Sequence, residues 1–214
     1  MNALYHFPKT FPNLALATYA SMLDTSLQDC ASVLDVGCGS NSPLRLVAKK
    51  MSSVGVDGHK PSIQTSKKSK IHDKYEVLDI REIVKKFGKK NFDAVIALDV
   101  IEHLKKQDGI KLLKDMEAIA TKKVIVLTPN GFLEQYDSVN DLQEHLSGWT
   151  VKEFSSHGYK VSGMYGWKPL RGNNANLQFK PKIISGAISE LTHYLYSRRN
   201  PESSFSLFAV KSLS

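Results

Sequence analysis

The segment from Val33 to Ser42, V-L-D-V-G-C-G-S-N-S, constrains this chain more than any other. An apolar run carrying Asp35 enters a Gly-x-Gly at Gly37 and Gly39, and a helix-compatible stretch from Pro43 to Lys50 follows. The order predicts a strand, a tight glycine turn and a helix start. Glycines let a ligand approach the backbone closely, and the first turn of a helix offers it free N–H groups. A nucleoside-containing ligand suits such a junction.

Short apolar runs alternate with helical patterns from Ser32 to Thr128. Strands are expected at Val33–Val36, Ser53–Val56, Tyr75–Leu78, Phe92–Leu98 and Val124–Thr128. Helices are expected around Pro43–Lys50, Pro61–Lys68, Ile80–Phe87 and Asp108–Ala120. Repeated strand–helix–strand units imply an α/β fold, a doubly wound and mostly parallel sheet with helices on both faces. Ligands of such sheets bind at the carboxyl ends of the strands. Asp35, Asp57, Asp79 and Asp99 all fall at or just past an expected strand end, so four acids are expected on one rim.

The flanks read differently. Leu16, Tyr19, Leu23 and Leu27 recur at helical spacing and predict an amphipathic helix packed on the domain, within an N-terminal helical extension over 1–30. The stretch L-A-L-A-T-Y-A lacks a basic start and is broken by polar residues, which argues against a signal peptide. Residues 132–182 are expected to hold an insertion covering the acceptor side of a single domain, 1–214. Around it lie a helix Thr150–His157 closed by Gly158, a strand Tyr159–Met164, a helix Lys182–Tyr196 and a last strand Phe205–Lys211.

Two cysteines, Cys30 and Cys38, cannot build a disulfide framework, so a reducing, cytoplasmic setting is expected. No apolar run is long enough to span a bilayer. The formal charge of +8 raises nucleic acid as a partner, but the excess is mostly lysine, scattered in pairs beside expected helix ends.

A glycine turn with an acid some 20 residues later also fits a dinucleotide site, with Asp57 as the ribose acid and Ser42 in place of the third glycine. Asp35 separates the alternatives. A pyrophosphate at this turn would face a carboxylate, whereas a cofactor carrying an ammonium and a sulfonium would gain from it. S-adenosylmethionine is such a cofactor.

At these residues the chain resembles the class I S-adenosylmethionine-dependent methyltransferases, especially their small-molecule group. V-L-D-V-G-C-G is similar to the family's first motif, which implies Asp35, Gly37 and Gly39 at the methionine end. V-G-V-D, followed by Gly58, resembles the second and implies Asp57 as acceptor for the ribose diol. L-D-I-R resembles the third, with Asp79 on the adenine amino group and Ile80 on its ring. F-D-A-V-I-A-L-D-V-I-E-H-L is similar to the fourth, with the backbone near Leu98 facing the methionine part. The resemblance implies seven strands, the last antiparallel and inserted beside the fifth. Asn41 stands where the family commonly has a third glycine.

Methyl transfer is an in-line displacement from a sulfonium, and a general base is needed only when the acceptor arrives protonated. His103, after the fourth strand, and His145, in the insertion, are the candidate bases; Tyr136 and Glu144 are weaker candidates. Asp99, Glu102 and His103 form D-x-x-E-H, similar to a Mg²⁺-binding triplet in ubiquinone-pathway O-methyltransferases. Acids at a cofactor rim already have a role, so no metal is expected. Trp167 and Phe179, near Arg171, Gly172 and Asn173, are candidates for an acceptor pocket. The expected partner is a small-molecule acceptor, methylated on oxygen or on nitrogen. The alternatives are an RNA or other nucleic-acid methyltransferase, a catalytically silent S-adenosylmethionine-binding domain and a nicotinamide oxidoreductase.

Overall fold

The computed structural model describes residues 12–135, 141–172 and 175–213; Tyr136 and Asn173 lie outside them, as does the side chain of Leu16. Helix α1, Pro12–Leu27, precedes strand β1, Ser32–Val36, and β2, Ser52–Asp57. Then come α2, Lys60–Ser69, and β3, Lys74–Val77; α3, Ile83–Phe87, and β4, Phe92–Leu98; α4, Lys106–Ile119, and β5, Ala120–Pro129. The chain continues with α5, Val151–Ser156, β6, Lys160–Trp167, α6, Lys182–Thr192, and β7, Ser204–Ser212.

The strands form one seven-stranded sheet in the order β3-β2-β1-β4-β5-β7-β6. The β1–β2, β1–β4, β2–β3 and β4–β5 pairs are parallel, and β7 runs antiparallel to both β5 and β6. This is the expected architecture, with the last strand inserted beside the fifth. The strand order reverses between β1 and β4, the kind of switch point at which open α/β sheets bind ligands.

Alternation along each strand divides the core between two faces. Leu34, Val36, Val95, Ala97, Val124 and Val126 face α4, which contributes Leu112, Leu113, Met116 and Ile119. Val33, Ala94, Ile96, Leu98, Ile125 and Leu127 face the other way, where Tyr19, Met22, Leu23 and Leu27 of α1 cover them. The apolar stripe of α1 thus packs on the sheet as its spacing predicts.

Three helices differ from expectation. Pro43–Lys50 shrinks to one 3-10 turn, Pro43–Leu46, because Val47 turns extended at φ −76° and ψ 125°. Asp24 of α1 then accepts the N–H groups of Ala48 and Lys49 at 3.1 and 3.4 Å, which removes them from any helical ladder. Ile80–Phe87 splits into a 3-10 turn, Ile80–Glu82, and α3. Helix α6 stops at Thr192 and continues as a π-helical turn, His193–Ser197.

Between β5 and β6, α5 starts on a capping box, in which Thr150 and Glu153 satisfy each other's backbone N–H groups. Gly158 closes it at φ 83°. Much of 132–182 therefore belongs to the sheet and its helices, and the stretch around Leu142 to Leu146 is the part that reaches the pocket.

Candidate active site

The glycine turn is held from several sides. Gly37 and Gly39 have φ of 69° and 57°, in the left-handed region. A Cβ on Gly37 would come within 2.5 Å of Val100 Cγ2, so the turn also needs glycine for space. Cys38 N donates to Val56 O at 2.9 Å, tying the turn to β2. Gly39 N donates to Asp57 Oδ2 at 2.9 Å, and His59 N to Asp57 Oδ1 at 2.7 Å. Burial raises the Asp57 carboxyl above its ordinary range, while these two N–H groups pull it back.

Asp35 is not on the pocket wall. As a residue within β1 it projects from a sheet face rather than from the strand end, and it is 1% exposed. His72 Nε2 lies 2.8 Å from its Oδ2, and Ser42 Oγ donates to the same oxygen at 2.5 Å. Ser42 Oγ also accepts Leu44 N at 3.1 Å, capping the 3-10 turn. Asp35 thus braces the glycine turn from behind. No spacing in the sequence marks His72 as its partner.

A cavity of about 500 Å³ opens at the carboxyl ends of β1 to β4. Gly37, Asp57, Gly58, Asp79, Ile80 and His103 line it, joined by Asp99, Val100, Arg81 and the cover residues Leu142, Gln143 and Leu146. Three of the four expected rim acids are therefore present. Asp99 sits at φ 56°, a conformation that a non-glycine residue adopts only when its surroundings enforce it. Asp79 is gripped by Arg81, with Nε at 2.9 and 3.0 Å and Nη2 at 2.5 Å from its oxygens, which holds the carboxyl below its usual range. The Leu98 side chain is buried in the α1-facing core. Its neighbour Asp99 is the residue that reaches the cavity.

Beside the cavity the chain gathers three donors that sequence spacing alone does not assemble. Glu102, His103 and His145 each place one ligand-capable atom within 4.8 Å of the others. His145 is brought there by the cover. Leu146 N and Ser147 N donate to Glu102 O at 2.8 and 3.0 Å. Trp149 anchors the segment, with its Nε1 on Ser147 Oγ at 3.1 Å and Lys106 Nζ 3.9 Å from its ring centroid.

His103 Nδ1 lies 3.1 Å from Glu144 O, and His145 Nδ1 lies 2.6 Å from Leu133 O. Carbonyls accept only, so each Nδ1 carries its proton and each Nε2 presents a lone pair. Burial lowers His103, and burial together with His103 lowers His145 to about 4, so both rings stay neutral. Glu102 is raised to about 7 by burial, against a 2.9 Å hydrogen bond from Thr128 Oγ1. Two neutral imidazoles fixed by backbone carbonyls and one carboxylate form a donor set suited to a divalent cation with mixed nitrogen and oxygen preference. The expectation of no metal considered Asp99, Glu102 and His103 only; the fold adds His145.

The other candidates scatter. Glu144 contributes its carbonyl, and its side chain is exposed. Trp167 and Phe179 are exposed and do not line the cavity.

Residues 34–133 match the family model described as a methyltransferase domain. The chain is similar to a small RNA 2'-O-methyltransferase of Tetrahymena thermophila, 22% identical over 172 residues. That match takes in 68% of this chain, and the chain spans only 41% of that relative. Among solved structures it is similar to the methyltransferase domain of bacterial CtHen1, with a TM-score of 0.56, 20% identity and coverage of 94% of this chain and 98% of that one. It is also similar to the magnesium protoporphyrin IX methyltransferase of Synechocystis with bound SAM, at TM-score 0.53 and 17% identity, covering 92% and 78% of the two chains.

Proposed function

We propose that this chain, a class I S-adenosylmethionine-dependent methyltransferase over residues 34–133, moves the sulfonium methyl onto a hydroxyl oxygen held against Glu102, His103 and His145. The observation that carries this reading is the cluster itself, two neutral histidines and a buried glutamate at the rim of the cofactor cavity. A methyl acceptor that arrives already nucleophilic would not need it.

Asp57 has both oxygens fixed by backbone N–H groups and retains lone pairs for the two ribose hydroxyls. Ile80 offers an apolar side chain to the adenine, and Asp79, with Arg81, forms the polar edge beside it. Gly37 lines the cavity where the methionine part would sit, and Asp99 places a carboxylate on the same wall for its ammonium. In the reaction the acceptor oxygen attacks the methyl carbon in line, the C–S bond breaks, and its electron pair leaves on a neutral thioether. The hydroxyl proton passes to a nearby base, for which Glu102, raised to about 7, and the Nε2 atoms are the candidates. A divalent cation at the cluster would supply Lewis acidity toward the hydroxyl. The residues themselves orient the oxygen and exclude water.

A small-molecule hydroxyl is the first acceptor class. One specific observation favours a second, a ribose hydroxyl of RNA: the likeness to a small RNA 2'-O-methyltransferase, joined to a formal charge of +8. Transfer of radiolabelled methyl to short RNA oligonucleotides, and in parallel to small-molecule alcohols, tests both. Each assay is run with and without added Mn²⁺. Label on nitrogen or carbon, with none on oxygen, would overturn the hydroxyl reading.

A further inference from the structure

Helix α6 is packed inside out. It turns Ser185, Gly186, Ser189 and Glu190 toward the sheet, and His193 and Ser197 of the π-helical turn are buried with them. Ile184, Ile188, Leu191 and Leu195 recur at spacings of four, three and four, the outline of a single helical stripe, yet that stripe faces solvent. Ile184 is 56%, Leu191 58% and Leu195 70% exposed.

The orientation is built in. Ser189 Oγ donates to Tyr165 O at 3.0 Å and accepts Nε and Nη2 of Arg171 at 3.2 and 3.1 Å. Gly166 and Gly163 of β6 let the helix backbone sit directly on the strand. A Cβ on either would come within 2.1 Å of a carbonyl, of Ser189 or of Ser197. Rotating the helix to hide its isoleucines would break these bonds and press bulk against the two glycines.

Charge identifies the occupant of the ridge. Lys180 and Lys182 precede it, Arg198 and Arg199 follow it, and all four are exposed. Glu190, the one acid between Phe179 and Asn200, is buried. We propose that α6 and its π-helical continuation dock on an anionic lipid surface. The ridge enters the headgroup boundary, and the basic ends meet lipid phosphates and carboxylates. Trp167, whose backbone N–H donates to Thr192 Oγ1 at 3.1 Å, stands exposed beside the helix and suits the same interface.

A second copy fits less well, because helices paired in either direction bring basic ends onto basic ends. RNA would use the cations and leave the isoleucines wet. The docking is independent of the methyl-transfer reading.

Co-sedimentation of the full chain with vesicles of phosphatidylcholine, with and without phosphatidylserine, is the test. Partition onto the anionic vesicles is expected to exceed that onto neutral ones by about tenfold or more. The double variant Ile188→Glu/Leu191→Glu is expected to cut it by about tenfold or more, with S-adenosylhomocysteine binding unchanged. The wild-type chain supplies a readout that needs no variant: Trp149 is buried, so an emission blue shift on adding anionic vesicles reports Trp167. Equal partition onto both vesicle types, or no blue shift, overturns the proposal. So does a lipid-free dimer that Ile188→Glu dissociates, or retention on RNA that Arg198→Glu abolishes and Ile188→Glu leaves intact.

Discussion

His72 Nε2 sits 2.8 Å from Asp35 Oδ2, both side chains shut away from solvent behind the glycine turn. The carboxylate that argued for a cationic cofactor is therefore engaged from the rear. That electrostatic argument passes to Asp99 on the cavity wall. What Asp35 does instead is hold Ser42, and through it the start of the 3-10 turn.

Removing one partner of a buried pair leaves a charge or a lone pair stranded, at about 3–5 kcal/mol. His72→Leu is expected to cost that much in urea denaturation. Removing both partners, His72→Leu with Asp35→Leu, is expected to recover part of it, because the buried carboxylate is gone and only the Ser42 hydroxyl proton loses its acceptor. Additive losses in the double variant would show that the two residues act separately.

Gly37→Ala meets two obstacles. Left-handed backbone costs an alanine about 1–2 kcal/mol, and the new methyl would strike Val100. The variant is expected to bind S-adenosylhomocysteine more than about tenfold more weakly. Adding Val100→Ala relieves the collision and leaves the backbone strain, so calorimetry is expected to show partial recovery. Full-strength binding by Gly37→Ala alone would sink this account of the turn.

Asp57→Ala removes the acceptor proposed for both ribose hydroxyls. It also frees the N–H groups of Gly39 and His59. Hydrogen bonds to a charged group contribute about 1.5–3 kcal/mol each, so cofactor affinity is expected to fall by about 100-fold or more. Unchanged affinity by titration calorimetry would move the ribose elsewhere.

The fold was readable because β1, β2 and β4 are largely apolar runs that end at or run into an acid or a glycine, and because α1 and α4 repeat at helical spacing. Asp57, Asp79 and Asp99 were readable for the same reason: a strand end points one way, so its last acid has one place to go. Asp35 differs from them because it lies inside the strand, where direction is set by alternation and not by the strand's end. His72 and His145 were out of reach as partners. Each meets its neighbour through a loop whose path depends on tertiary contacts, such as the hold of Glu102 O on Leu146 and Ser147. Helix α6 shows a limit of pattern reading, since its stripe is genuine and its direction is reversed.

His145→Ala separates binding from chemistry. The side chain is outside the cofactor cavity, so S-adenosylhomocysteine affinity is expected to stay within about twofold of wild type. Turnover in the presence of Mn²⁺ is expected to fall by about 100-fold or more. Chelation of the wild-type chain is expected to reproduce that loss, and Mn²⁺ to reverse it. Turnover that survives chelator and His145→Ala alike would leave the cluster without a metal role.

His193 gives stability a pH dependence with a definite sign. It is 1% exposed, neither ring nitrogen has a hydrogen-bond partner among the described residues, and burial, with Arg198 nearby, lowers it to about 4. Its ordinary value is 6.5. Between these values the unfolded chain binds the proton and the folded chain does not. The stabilisation from a neutral His193 is therefore complete above about 6.5 and is lost as pH falls toward about 4. Glu102, raised to about 7 by its own burial, has the opposite sign: its contribution is present at low pH and is lost as pH rises from its ordinary 4.5 through about 7. The wild-type profile mixes these two with the lowered His103 and His145, and a variant isolates one. His193→Leu is expected to lose less stability on going from about pH 7 to about pH 5 than the wild type does, by roughly 2 kcal/mol. Urea denaturation at both pH values reads that difference directly. Parallel profiles would mean that His193 takes up its proton in the folded chain as readily as in the unfolded one, and that the polar face of α6 is wetter than its burial implies.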